Sequence, residues 1–291
     1  MTTLLISCSR ALIASVSLMV LGTIASGVAR AHGDHHAHEP AVDLLTQAHA
    51  EQARHNFDHA LELVDQHLAA APSDDAARLQ KVALHLIRGE FPSAKAACRQ
   101  LERVSALVVV TCHARVAHAQ DAGQRFVEPL TALVNGSELG TLPHELRAWS
   151  LSVAGDLATS AGRIDEAQDL YQRSLAEHEN PQVRAAWVDL LIAAGEWQTA
   201  SATIGSKPES LTLRVQRLIV AKTLELDVAD EIVSMDRQFQ RWWDAGDFEH
   251  AREMARFYLD VIGDSDRALT LARINATLQH EPEDRQLLAR A

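Results

Sequence analysis

One short phrase recurs along this chain at a nearly fixed interval and limits what the chain can fold into. Gly, a spacer, an aromatic or aliphatic residue, two spacers and Ala read as Gly89-Glu-Phe91-Pro-Ser-Ala94, Gly162-Arg-Ile164-Asp-Glu-Ala167 and Gly195-Glu-Trp197-Gln-Thr-Ala200. A copy without the glycine opens the series, His55-Asn-Phe57-Asp-His-Ala60, and a weaker one closes it, Gly263-Asp-Ser265-Asp-Arg-Ala268. Ala60 and Ala94 stand 34 residues apart, Ala167 and Ala200 stand 33 apart, and Ala200 and Ala268 stand 68 apart. A period of that size is the mark of stacked helical hairpins, each too small to bury its apolar face alone.

Composition agrees with helices. The apolar 47% is rich in Ala and Leu with few β-branched runs, and the 8 prolines fall mostly between apolar stretches; both favour helix over strand. A chain of 291 residues can carry a continuous core along an array. The apolar spacing divides it into helix pairs at 42–54 and 57–71, 75–88 and 93–102, then 106–120 and 124–134. Further pairs follow at 144–160 and 164–177, then at 181–194 with a second helix cut short by Gly205 to Pro208. The last two are 211–226 with 229–243 and 248–262 with 265–279, and residues 284–291 form a short helix that caps the exposed end. The phase of the last pair is open, because Gly246-Asp-Phe248-Glu-His-Ala251 also fits the phrase.

Residues 1–31 read as a secretory signal. Arg10 is the early positive charge, 11–25 is an uncharged apolar stretch, and Ala29-Arg-Ala31 supplies the small-x-small cleavage pattern. The competing reading is an uncleaved N-terminal anchor in the inner membrane, since the apolar stretch is only slightly short of a span. Cleavage makes the mature chain periplasmic or secreted. The whole chain carries a net charge of −12, and loss of a leader holding two arginines and no acid would leave −14. So acidic a surface repels phosphate backbones and anionic lipid, which argues against nucleic-acid partners and against membrane insertion after cleavage.

Cleavage would also leave two cysteines, Cys98 and Cys112. An even pair in an oxidising compartment is a disulfide candidate, and the two lie at comparable distances from the turn near Val104 on successive antiparallel helices. Two buried free thiols packing as small apolar groups are the alternative.

The 34-residue pairs, with Gly155, Gly162, Ile164, Ala167, Tyr171 and Pro at the boundary, resemble the tetratricopeptide repeat from about residue 41 to the C-terminus. The resemblance implies an all-α fold: a right-handed α-α superhelical solenoid of six to seven hairpins, following a signal peptide (1–31) and a His-rich tail (32–40). It also implies a concave face lined by first helices, here with Trp149, Asp156, Gln182 and Asp189 as partner-binding residues. The Lys and Asn with which some members grip a partner's terminal carboxylate are missing from the matching positions. The implied ligand is instead an extended or helical segment of another periplasmic or membrane protein.

Nothing in the sequence suggests an enzyme: nucleophile triad, phosphate loop, dinucleotide fingerprint and HExxH are all missing. The histidine tail is the one chemical feature that stands out. His32, His35, His36 and His38 lie within seven residues, beside Asp34 and Glu39, and imidazole with carboxylate suits Zn, Cu or Ni. The expectation is therefore an exported scaffold that binds protein through its concave face. The alternative is a metal-handling protein that passes a divalent transition metal from its tail to a partner or transporter. The same segment also reads as a plain soluble spacer. His55 and His59, four apart, read as surface histidines at a repeat turn.

Overall fold

Seven backbone turns within helix pairs pass through a left-handed residue, and six of them share one hydrogen-bond pattern; at Gly263 both N–H groups of the turn reach Tyr258 instead. A computed structural model describes residues 43–101, 104–208 and 210–291. In it, His55, Gly89, Asp121, Gly162, Gly195, Glu225 and Gly263 all take positive φ, between 55° and 86°. These are the phrase's first position and its equivalents. At Gly89 the N–H donates to the Leu86 carbonyl and the next N–H, of Glu90, reaches back to His85. The same two bonds recur at Gly162 with Thr159 and Ala158, and at Gly195 with Ile192 and Leu191. This left-handed cap satisfies the last carbonyls of a helix and reverses the chain. Where His55, Asp121 and Glu225 replace Gly, the turn is the same and the left-handed conformation costs about 1 kcal/mol more.

Among the described residues, fifteen α-helices lie between the turns and no strand occurs. The first five are α1 (Leu44–Ala53), α2 (Phe57–Ala70), α3 (Asp75–Ile87), α4 (Phe91–Cys98) and α5 (Ala106–Ala119). Then come α6 (Val127–Val134), α7 (His144–Ser160), α8 (Ile164–Glu177), α9 (Pro181–Ala193) and α10 (Trp197–Ile204). The chain ends in α11 (Leu211–Thr223), α12 (Ala229–Ala245), α13 (Ala251–Phe257), α14 (Ser265–Leu278) and α15 (Pro282–Arg290). Sequence neighbours pack as pairs, and from α3 to α13 each first helix also touches the first helix of the following pair.

The phrase's alanines explain the tight pairing. Ala60, Ala94, Ala167, Ala200 and Ala268 are all fully buried. The fourth pair shows the closeness best: a Cβ on Gly155 would lie 2.8 Å from the Tyr171 ring. That separation lets α7 and α8 approach nearer than any larger residue permits.

Several boundaries differ from the expectation. α4 begins at Phe91 rather than 93, because Pro92 sits in the first turn, where no N–H is needed. α6 begins at Val127 rather than 124, behind a 3-10 turn at Gly123–Phe126. Pro129 cannot donate back to residue 125, so a regular helix cannot start earlier. The helix expected over 248–262 is regular only across Ala251–Phe257 and loosens into a π turn at Tyr258–Ile262. At its start the Asp247 carboxylate accepts the Glu249 N–H, an alternative to helix initiation.

The phase of the last pair is settled as well. α13 and α14 pack around the Gly263 turn, while Gly246 ends α12. The sixth pair is not a close hairpin. Asp230 falls where the phrase has Ala, and α12 stands off from α11, touching the core through Met235, Phe239, Trp242 and Trp243. Both tryptophans are half-buried. Trp242 lies against Phe239 and His250, and Trp243 against Phe248 and Arg267.

Cys98 and Cys112 are fully buried and form a disulfide between α4 and α5, with Cα atoms 5.8 Å apart. No helix among the described residues is long and apolar enough to cross a membrane.

Candidate functional site

The first helices carry a run of charged side chains on the side where they meet. On α5, Arg115 reaches Asp156 of α7 at 3.3 Å. Asp156 also accepts the Tyr171 hydroxyl at 2.9 Å. Burial, then the Asp156 charge, pushes the Tyr171 phenol well above its usual range, so it keeps its proton and donates it in the bond to Asp156, while its oxygen lies 3.3 Å from the Thr159 hydroxyl. Farther along, Asp189 of α9 is gripped by both terminal nitrogens of Arg256 on α13, 67 residues away. Planar two-point contacts of this kind fix orientation as well as charge.

The same side holds the C-terminal segment. Arg115 extends past Asp156 to Glu281 at 3.4 Å. Glu281 and Asp284 form a reciprocal cap at the start of α15, and Arg252 binds both at 2.6 to 2.8 Å. Buried Asp284 also accepts the Asn275 amide at 2.6 Å. Burial works against the charge on Glu281, but Arg252 and Arg115 outweigh it and hold the group below the ordinary carboxylate range. At Glu283 the same two arginines act against the shift but do not offset it. Glu283 keeps exposed surface, yet the surrounding protein removes enough water, and Glu281 adds enough like charge, to push its pKa up to about 7.

The four expected partner-binding residues therefore stand in different situations. Asp156 and Asp189 already have intramolecular partners. Trp149 is half-buried between the cluster around Leu151 and Tyr171 and the cluster around Val82 and Cys112. Gln182 lies in the first turn of α9, its N–H held by the Asn180 side chain. The tail histidines His32, His35, His36 and His38 lie outside the described residues. Among the described residues no three His, Cys, Asp or Glu side chains converge as metal ligands. His59 pairs with Glu62 at 3.4 Å, and His55 stacks on Phe57.

Sequence reasoning missed Arg115, Arg252, Glu281 and Asp284. Arg115 and Glu281 are 166 residues apart, and no local pattern marks the pairing. The local signal was the acidic Glu281-Pro282-Glu283-Asp284 run, readable as a helix start. No protein-family model matches the chain, and no curated protein matches it.

Chemically, these charges answer one another: Asp156, Asp189, Glu281 and Asp284 are each paired with an arginine. A depression of about 230 Å³ near Pro208, Arg214 and Glu231 is shallow, and Arg217 and Glu231 fill its rim with their own ion pair. It is smaller than usual small-molecule sites of about 300–1,000 Å³.

Proposed function

We propose that this chain is an exported, tetratricopeptide-like scaffold that binds another protein through the concave side of a helical solenoid. The observation that supports this reading is the recurrence, in the first, second, fourth and fifth pairs, of one hairpin with the same left-handed turn and a fully buried alanine five residues on. Stacked hairpins of this kind expose a long lining of first-helix side chains, a surface suited to an extended or helical segment. The leader-like residues 1–31 support a periplasmic or secreted location, and the buried Cys98–Cys112 pair suits an oxidising compartment. The partner is then a periplasmic or membrane-bound protein.

Copurification from periplasmic extract tests it, with Trp149→Ala and Gln182→Ala as reporters for the concave side. Loss of a captured protein in these folded variants supports the reading; full retention moves the binding face elsewhere. The four histidines of the tail favour a second, compatible role in handling Zn, Cu or Ni. Calorimetric titration with and without residues 32–39 decides it, and equal heats in the two forms reject a metal role for the tail.

A further inference from the structure

The C-terminal segment comes back to the second and third helix pairs, and the side chains it offers there are mainly polar. The His280 N–H donates to the Ile87 carbonyl at 3.0 Å, and its ring covers Gly89, where a Cβ would sit 3.1 Å away. Arg115 reaches Glu281. Arg285 donates at 3.0 Å to the Ala119 carbonyl and to the Asp121 carboxylate. The other joints rest on buried apolar clusters, whereas none of these clusters crosses this one. α15 turns Leu287 toward its own neighbours α11 to α14 and presents charge to α5.

The Arg285 end of this contact is open to exchange, whereas Arg115 and Glu281 at the other end keep only 24% and 12% of their side-chain surface. Arg285 and Asp121 keep 40% and 77% of their side-chain surface, and exposed ion pairs are weak. Tethering compensates by keeping the segment at high effective concentration. Glu281 and Arg285 are one helical turn apart, so a single helix start delivers carboxylate to Arg115 and guanidinium to Asp121 together.

We infer that the strip formed by the Ile87 carbonyl, Arg115, the Ala119 carbonyl and Asp121 is a recognition surface for a protein segment of the pattern Glu-x-x-x-Arg. Residues 280–285 are its resident occupant, and a partner segment with the same charge order displaces them. The inference rests on the scaffold reading and narrows it to one part of the lining and one ligand chemistry.

The test is fluorescence anisotropy of a labelled synthetic peptide copying residues 278–291, titrated with the purified chain. Wild type should bind it weakly, because the tethered copy competes. The Arg285→Glu chain should bind at least tenfold more tightly. Adding Asp121→Arg to that variant restores the internal pair and should return binding to the wild-type level or below. Both positions are exposed enough for the variants to fold, which circular dichroism checks. Equal peptide affinity for wild type and Arg285→Glu, or tightening that Asp121→Arg leaves intact, overturns the inference. A wild-type dimer in sedimentation, with segments exchanged between two copies, overturns occupancy within one chain. Capture of a protein in the copurification experiment with no peptide effect here leaves the scaffold standing without this strip; a peptide effect with no captured protein leaves the strip standing without the scaffold.

Discussion

Reducing the Cys98–Cys112 bridge should destabilise the protein by an amount that follows from its place in the chain. The two residues are 14 apart and tie α4 to α5 across one turn. Closing a loop of that length removes roughly 10 cal/mol/K from the unfolded ensemble, or about 3 kcal/mol at room temperature. Reduction leaves two thiols in the same buried space, so the packing loss is small and the loop entropy dominates. For a chain of this size about 3 kcal/mol corresponds to a melting temperature lower by roughly 6–12 °C. The assay is urea unfolding followed by far-ultraviolet circular dichroism, with and without a phosphine reductant, on chain expressed from His32 onward. Thiol titration of the unreduced, unfolded protein should find no free thiol. Two free thiols, or a midpoint that does not move on reduction, would refute both the bridge and the reasoning from it.

Three further outcomes follow from packing and charge. Gly155→Ala should cost about 1–2 kcal/mol by thermal melting, since the new Cβ meets the Tyr171 ring at 2.8 Å and overpacking outweighs the gain in helix propensity; a neutral or stabilising effect would mean that α7 and α8 are farther apart. Gln52 is buried with neither amide atom bonded to protein, so Gln52→Leu should raise stability by about 1 kcal/mol, and a clear loss in urea unfolding would show that the amide has a partner. Glu283→Gln should stabilise at pH 8 and not at pH 4. A carboxyl with its pKa raised from 4.5 to about 7 makes the folded state hold an extra proton between those values, so its contribution falls as pH rises through that window. The full shift is worth roughly 3 kcal/mol, and screening at this exposed side chain reduces it to about 1 kcal/mol. Burial lowers the pKa of His49, His113 and His118, and these oppose the trend by losing stability as pH falls below 6.5. The difference between variant and wild type isolates Glu283, and a difference that does not change with pH contradicts the assignment.

The sequence displayed what depends on neighbours within one repeat. Gly162, Ile164 and Ala167 announced a hairpin because left-handed turns and close helix approach each demand particular residues at short range. The fourth pair accordingly has the expected boundaries to the residue, 144–160 and 164–177. Cys98 and Cys112 were legible for the same reason, being one hairpin apart. Proline chemistry was read less well. Pro92 and Pro129 lie in the first turns of α4 and α6, a first-turn proline is compatible with more than one starting residue, and these starts fall two or three residues from the expected ones.

The charged residues of the first helices were legible only as positions. The hairpin register put Asp156 and Asp189 on the first helices, and there they are. Their partners, Arg115 and Arg256, come from other repeats, and the docking of α15 on α5 depends on how small rotations between pairs add up over the whole array. Nothing in a 34-residue window carries that sum. The loose sixth pair stands between these cases: Asp230 in place of Ala was visible, but the resulting offset of α12 depends on how Phe239 and the two tryptophans pack.

The return of the C-terminal segment to α3 and α5 is the longest-range feature of the fold, and a cross-link tests it directly. The Cβ of a residue placed at Gly89 would lie 3.1 Å from the Cβ of His280, within a few tenths of an ångström of the spacing of about 3.5–4.5 Å that a disulfide needs. The left-handed turn at Gly89 (φ +71°) adds a strain of about 1 kcal/mol to any replacement, which a bond can overcome. A Gly89→Cys, His280→Cys chain, mildly oxidised and digested for mass spectrometry, should show the 89–280 linkage within single molecules in most of the sample, beside Cys98–Cys112. Free thiols at 89 and 280 after oxidation, with the native bridge intact, would contradict that return.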